Sequence, residues 1–274
     1  MKRRLALLGS PVASALSPAL HRAAYEAMGL NWDYQAIDCR PEDLHPFLTS
    51  LDESWAGFSL TMPLKRAVIP LLDEVSETVV RTGAANTITV QDGRLTGDNT
   101  DLHGMLQALR DTGVTGVSTL TVLGAGATAC TTLAAAHHLG CRHATVIARN
   151  TGHATDHLTA PARRIGIGLD IRPWAEAASH LSAELVVSAL PPHAADTLAP
   201  HWTPGTGGTL MDVTYRPWPS TLARTARAGG TTVVGGLPML VHQAARQVTL
   251  QAGKPAPYKQ MLHTAMASLR HENS

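Results

Sequence analysis

Between residues 120 and 138 the chain reads LTVLGAGATACTTLAAAHH: an apolar run, then Gly124-x-Gly126-x-x-Ala129, then a stretch of small residues. A strand that turns through glycines directly into a helix opens a βαβ unit and is the setting of the dinucleotide fingerprint. Gly124 permits the tight turn, Gly126 lets a pyrophosphate approach the main chain, and Ala129 is small enough for the helix to sit close to the sheet. The helix N-terminus then offers unpaired N–H groups to the anion. The alternative is an ordinary strand-to-helix turn in an Ala- and Gly-rich chain, and the strand–loop–helix context favours the dinucleotide reading.

The surrounding pattern extends this local signal to a fold. Short runs rich in Val, Ile, Leu and Thr recur at 120–123, 144–147, 169–171, 185–188, 210–213 and 231–234, separated by helical patterns or loops. That order predicts right-handed crossovers and a parallel sheet covered on both faces. Upstream the alternation is looser. Strands are predicted at 4–8, 32–37, 56–60, 86–90 and 94–96, with helices at 18–28, 42–49, 64–72 and 100–110. Ser17 is expected as N-cap of the first helix, and Asp92-Gly93 suits a two-residue hairpin. Two helices, 239–251 and 258–270, follow the last strand. The expected architecture is α/β in two domains: residues 1–102, with 237–274 packing back on them, and residues 103–236, a Rossmann-type doubly wound dinucleotide domain.

Charge excludes several partners. Hydrophobic residues make up 44% of the 274 and charged residues 16%, with 22 Lys+Arg against 21 Asp+Glu, so no basic footprint for nucleic acid or an acidic membrane surface exists. The expected partner is a small molecule, bound by a monomer or homodimer. No apolar run reaches bilayer length, and the first apolar stretch, Leu5 to Leu8, reads as a strand rather than a leader. Three scattered cysteines fit a reducing cytoplasm. The 14 histidines invite a metal hydrolase reading, but the adjacent His137 and His138 point to different helix faces, and His153 with His157 lacks a third ligand at recognisable spacing.

About 20 residues past the fingerprint, a binder of the unphosphorylated dinucleotide carries an acid for the ribose 2′-hydroxyl. Here the second strand ends in Ala148-Arg149-Asn150, and a guanidinium suits a 2′-phosphate. NADP is therefore the expected cofactor, with NAD as the other nicotinamide the loop accepts. Lys65 follows a Thr-x-Pro turn at the end of a strand, and Asn86, Asp98, Asn99 and Asp101 cluster at element ends. Reduction of a ketone needs a group that gives the developing alkoxide a proton, and a lysine aimed by an aspartate supplies one. Taken singly, Lys65 reads as a solvated helix-start lysine and Asp101 as a helix cap.

Seven ordered motifs together carry a resemblance. Gly9-Ser10-Pro11-Val12, Leu16-Ser17-Pro18-x-x-His21, Thr61-x-Pro63-x-Lys65, Gly83-Ala84-Ala85-Asn86-Thr87, Gly97-Asp98-Asn99-Thr100-Asp101, Asp212-Val213-x-Tyr215-x-Pro217 and Gly236-x-x-Met239-Leu240-Val241-x-Gln243-Ala244 resemble the shikimate dehydrogenase family along essentially the whole chain. The resemblance implies NADP-dependent reduction of 3-dehydroshikimate to shikimate in the chorismate pathway, with residues 1–102 as an N-terminal α/β substrate domain, a cleft between it and the NADP domain, and Lys65 and Asp101 as the catalytic pair. It implies that Ser17, Thr61, Asn86, Tyr215 and Gln243 bind the substrate. It places Gly124, Ala125, Gly126, Ala127, Arg149, Ser188, Gly236 and Met239 at the cofactor, and no metal. Four positions depart from the family pattern. Ser14-Ala15 stands for His-Ser, which removes one carboxylate-binding serine, and Ser59 stands for Asn. Ala127 replaces a glycine, and Ala148-Arg149-Asn150 stands for Asn-Arg-Thr, with none of the second basic residue usual there in Thr151-Gly152-His153. The carboxylate-pocket change keeps two alternatives open: a paralogue acting on quinate or an amino-shikimate, and a catalytically silent ligand-binding module.

Overall fold

The computed structural model of the chain describes residues 2–203 and 208–271, so residues 1, 204–207 and 272–274 of the expected domain spans lie outside the described residues. The main chain divides into two units, Met1–Gly104 with Leu240–Ser274, and Met105–Met239.

The first unit begins with β1 (Arg3–Gly9), α1 (Ser17–Ala27), β2 (Trp32–Asp38), α2 (Pro41–Thr49) and β3 (Trp55–Leu60). It continues through α3 (Leu64–Ala67), β4 (Glu74–Val75), α4 (Glu77–Thr82), β5 (Thr87–Gln91) and β6 (Arg94–Asp98) to the start of α5 (Asp101–Arg110). β1 is parallel to β2 and β3, β5 is antiparallel to β3 and β6, and the sheet order is β2-β1-β3-β5-β6-β4. Every residue of the central strand β3 is buried, as a strand covered on both faces requires. Leu8, Phe58, Leu64 and Ile88 share its core cluster, and each fully buried apolar side chain stabilises by about 1.5–3 kcal/mol. At the β5–β6 hairpin, Asp92 (φ 51°) and Gly93 (φ 75°) both take the left-handed conformation that a two-residue turn demands.

The second unit runs β7 (Leu120–Leu123), α6 (Ala127–His138), β8 (His143–Ala148), α7 (Thr151–Ile165), β9 (Gly168–Pro173), β10 (Leu185–Ser188), β11 (Thr209–Asp212), α8 (Thr221–Ala228) and β12 (Thr232–Gly235). All neighbours pair in parallel in the order β12-β11-β10-β7-β8-β9, so the α/β parallel sheet read from sequence is present. The chain passes from β7 to β8 on one side and later places β10 on the other, which makes the carboxyl end of β7 the switch point where such sheets bind ligands. Two helices complete the chain, α9 (Gly236–Ala252) and α10 (Tyr258–His271), and α10 packs on α1. Among the described residues no helix is long and apolar enough to cross a membrane.

Three local expectations change. Ser17 is the first residue of α1 rather than its cap; Leu16 occupies the cap position with αR dihedrals and no side-chain hydrogen bond. The single helix expected over 64–72 is split into α3 and a 3-10 turn, Ile69–Leu71, because Pro70 has no N–H to continue the ladder and its ring crowds the carbonyl four residues back. Between them and β5 lies α4, capped by Ser76, whose hydroxyl accepts from the Val79 N–H, and ended by Gly83 at φ 65°.

Candidate active site

Lys65 lies in the one-turn helix α3, directly after β3, and Asp101 opens α5, directly after β6. β3 and β6 flank β5, so both side chains reach the amino end of β5 from opposite sides. Lys65 Nζ donates to Asp101 Oδ2 at 2.5 Å, and the two side chains are only 19% and 10% exposed. A charge-assisted bond held largely away from water is stronger than the same pair on a surface. Asp101 is not occupied in capping its own helix. The Asn99 side chain accepts from the Asp101 N–H at 3.2 Å, which leaves the carboxylate to other partners. An ammonium has three donors, and Asp101 takes one of them.

The second carboxylate oxygen of Asp101 accepts from Asn86 Nδ2 at 2.9 Å, and the same Asn86 nitrogen donates to Gln243 Oε1 at 3.2 Å. Asn86 Oδ1 accepts from the Thr87 hydroxyl at 2.7 Å and the Thr100 N–H at 2.8 Å. Its oxygen is thus saturated by donors, so the amide presents its nitrogen to Asp101 and Gln243. Gln243, on α9, donates from its amide nitrogen to the Leu240 carbonyl at 3.0 Å. Four sequence-predicted residues, Lys65, Asp101, Asn86 and Gln243, therefore form one connected group in the first unit. Thr61 follows β3, four residues before Lys65, and the Leu64 N–H donates to its carbonyl at 2.9 Å. Ser17 is buried at the start of α1.

Beneath this group runs a further layer of polar side chains that the sequence reading did not assign. Gln247, one helical turn after Gln243, donates to the Asn86 carbonyl at 3.0 Å and accepts from Ser59 Oγ at 2.8 Å. His21 Nε2 also meets Gln247 Oε1, at 3.2 Å, and His21 stacks on Tyr34 with ring centroids 4.1 Å apart. Because Gln247 Oε1 can only accept, His21 carries its proton on Nε2 and accepts from the Tyr25 hydroxyl on Nδ1, at 3.2 Å. Burial pushes the His21 imidazole down to about 3, against the smaller opposing effect of its bond to Gln247. Burial likewise pushes the phenols of Tyr25 and Tyr34 up. The i, i+4 spacing of two glutamines on one helix was the available signal for Gln247.

In the second unit the predicted cofactor residues gather at the carboxyl ends of the parallel strands. Gly124 follows β7 at φ 106°, and a Cβ there would sit 2.8 Å from the Ala189 carbonyl oxygen. Gly126 is the cap of α6 with no side-chain cap bond and with open space where a Cβ would be, so the leading N–H groups of a 12-residue helix face a cradle of bare main chain. Ala125 and Ala127 flank Gly126, and Ala129 is fully buried against the sheet. Arg149, exposed, follows β8 on one side of β7, and Ser188, buried, ends β10 on the other. Gly236 begins α9 so close to β11's exit that a Cβ would lie 2.0 Å from the Val213 carbonyl oxygen, and Met239 is buried one turn on. Tyr215, half-buried, follows β11 in this same unit. His153 and His157 meet at 2.7 Å on α7, and among the described residues no group of three metal-ligating side chains forms.

Comparison with known proteins gives this arrangement a family. Residues 7–88 match the shikimate dehydrogenase substrate binding domain. An NADP(+) shikimate dehydrogenase of Oleidesulfovibrio alaskensis is 34% identical over 96% of this chain and 95% of its own length. The structure of shikimate 5-dehydrogenase from Thermus thermophilus in complex with NADP(H) and shikimate is 34% identical, covers 97% of this chain and 99% of its own, and superposes with a TM-score of 0.84. Quinate dehydrogenase from Corynebacterium glutamicum in complex with NAD, 27% identical over 97% of this chain and 99% of its own, gives a TM-score of 0.88. With relatives of this identity matched from end to end, the chain belongs to the shikimate dehydrogenase family.

Proposed function

We propose that the protein reduces 3-dehydroshikimate to shikimate, reversibly and with NADP, using Lys65 and Asp101 as its catalytic pair. The observation that carries this reading is the 2.5 Å contact between two charged groups 36 residues apart, set at strand and helix ends. The residues of the second unit fit a dinucleotide: Gly124 and Gly126 leave main chain bare at the switch point, and Arg149 offers a fork of donors to a 2′-phosphate. Bound there, the cofactor supplies a hydride for the ketone carbon. Lys65 passes a proton to the ketone oxygen as it becomes a hydroxyl, and the reverse reaction returns it. Asp101 aims the ammonium, and Asn86 aims Asp101.

Ser17, Thr61, Asn86, Tyr215 and Gln243 hold the substrate's carboxylate and hydroxyls in this account. Neutral hydroxyls and amides bind such a ligand without burying further charge. A substrate hydroxyl would replace the 3.2 Å contact between Asn86 and Gln243, the longest that Asn86 makes. A cytoplasmic setting is part of the same reading and agrees with Cys39, Cys130 and Cys141, all buried and in no disulfide.

One observation favours a second reading. Ala15 stands where the family pattern has a carboxylate-binding serine, a hydrogen bond worth about 1.5–3 kcal/mol, and this altered pocket keeps a related ring acid such as quinate or an amino-shikimate as the second reading. Purified protein assayed on shikimate, quinate and amino-shikimate with NADP+ and NAD+ decides. Fastest turnover of shikimate with NADP+ is the expected result. A preference for either other acid installs the second reading, and no turnover of any acid defeats both.

A further inference from the structure

Lys65 and Asp101 hang on one dipeptide. The Ala85 N–H donates to the Lys65 carbonyl at 2.7 Å, and Asn86 Nδ2 donates to Asp101 Oδ1 at 2.9 Å. Whatever fixes Ala85-Asn86 therefore fixes the pair. Strand pairing does part of this: the Leu60 N–H donates to the Asn86 carbonyl at 2.7 Å, and the Asn86 N–H to the Asp98 carbonyl at 3.0 Å. The other lone pair of the Asn86 carbonyl is taken by Gln247 Nε2, at 3.0 Å. That nitrogen also donates to Thr87 Oγ1, at 3.1 Å, whose own hydrogen goes to Asn86 Oδ1. Gln247 thus grips both the main chain of Asn86 and the threonine that fixes its amide.

The other end of the Gln247 amide is equally committed. Oε1 accepts from Ser59 Oγ at 2.8 Å and from His21 Nε2 at 3.2 Å, and Ser59 in turn accepts from the Tyr34 hydroxyl at 2.7 Å. At 1% exposure, Gln247 has every polar hydrogen and its oxygen used, so the amide has one orientation and one position. An apolar side chain of similar volume would fill the space and serve packing alone. The polar end is explained by what it holds.

We propose that Gln247 is a positioning residue for the dehydrogenase reaction assigned above: from α9 it fixes Asn86 and Thr87, and through them the geometry of the Lys65–Asp101 pair. The proposal rests on that assignment for its kinetic consequence and on the ligand-free geometry for its structural one. It is tested with Gln247→Leu in the full chain, read by kcat and both KM values for shikimate and NADP+, and by hydrogen exchange of the Asn86 side-chain amide in ligand-free protein by NMR. The expected result is a fall in kcat of about tenfold or more, with the KM for NADP+ within about twofold of wild type. Exchange of the Asn86 amide rises by about tenfold or more as its anchor is lost. Lowered thermal stability with wild-type kcat and an unmoved Asn86 amide would show a packing role only and overturn the proposal. Where Gln247→Leu does not fold, Gln247→Glu, which keeps an oxygen toward Ser59 and His21, is read by the same measures. If wild type turns over none of the ring acids, the dehydrogenase assignment fails, while the Asn86 amide still decides whether Gln247 positions it.

Discussion

The two units build their candidate sites from opposite materials. In the first, side chains hold one another: Lys65, Asp101, Asn86, Gln243 and Gln247 form a continuous hydrogen-bonded chain brought together from α3, α5, the entry to β5, and α9. In the second, the site is main chain cleared of side chains, with Gly124 and Gly236 at places where a single Cβ would strike a carbonyl. A network of polar groups depends on where each proton sits, whereas a bare cradle depends on the absence of atoms. The first should therefore fail when protons move and the second when atoms are added.

The sharpest break on the second side is Gly124→Val. A β-branched residue at φ 106°, 2.8 Å from the Ala189 carbonyl at its Cβ, costs about 1–3 kcal/mol in backbone strain and clashes with that carbonyl as well. Loss of NADP+ binding by calorimetry is expected, and retained affinity would show that the loop is not the cofactor cradle. On the first side the corresponding break is acid. The native imidazole of His21 titrates near 3 and an unfolded one near 6.5, so below 6.5 the unfolded chain binds the proton first and stability falls as pH drops toward 3. The slope is about 1.4 kcal/mol per pH unit, read as the difference in urea unfolding between wild type and His21→Gln across that window. Parallel curves would remove His21 from the account. The smallest effect concerns Arg149, the charged side chain proposed for the second site. Arg149→Ala should weaken NADP+ about tenfold more than NAD+, and equal losses would mean that it does not read the 2′-phosphate.

The same contrast explains what could be read from the sequence. Backbone-built features announce themselves locally: the Gly124 loop, the Asp92-Gly93 hairpin and the six strands of the second sheet all follow from neighbouring residues. Even α4 had its signals, Ser76 before and Gly83 after, in a stretch the strand-and-helix reading passed over. Pro70 likewise marked the split of the 64–72 helix. Side-chain networks are different. That Gln247 reaches Asn86 across 161 positions, or that Ser59 answers to Tyr34 and Gln247 at once, depends on how α9 docks on the sheet, which no local pattern encodes. Lys65 and Asp101 could be paired in advance from their places at a strand end and a helix start and from the ordered motifs together; singly, each looked like a helix-end residue.

The central claim is that these two side chains act as one unit, and a double-mutant cycle on kcat tests it most directly. Lys65→Ala is expected to lower kcat by about a hundredfold or more, Asp101→Ala to lower it substantially, and the double variant to be scarcely slower than Lys65→Ala alone. Losses that multiply, with each substitution acting as though the other residue were elsewhere, would contradict the account.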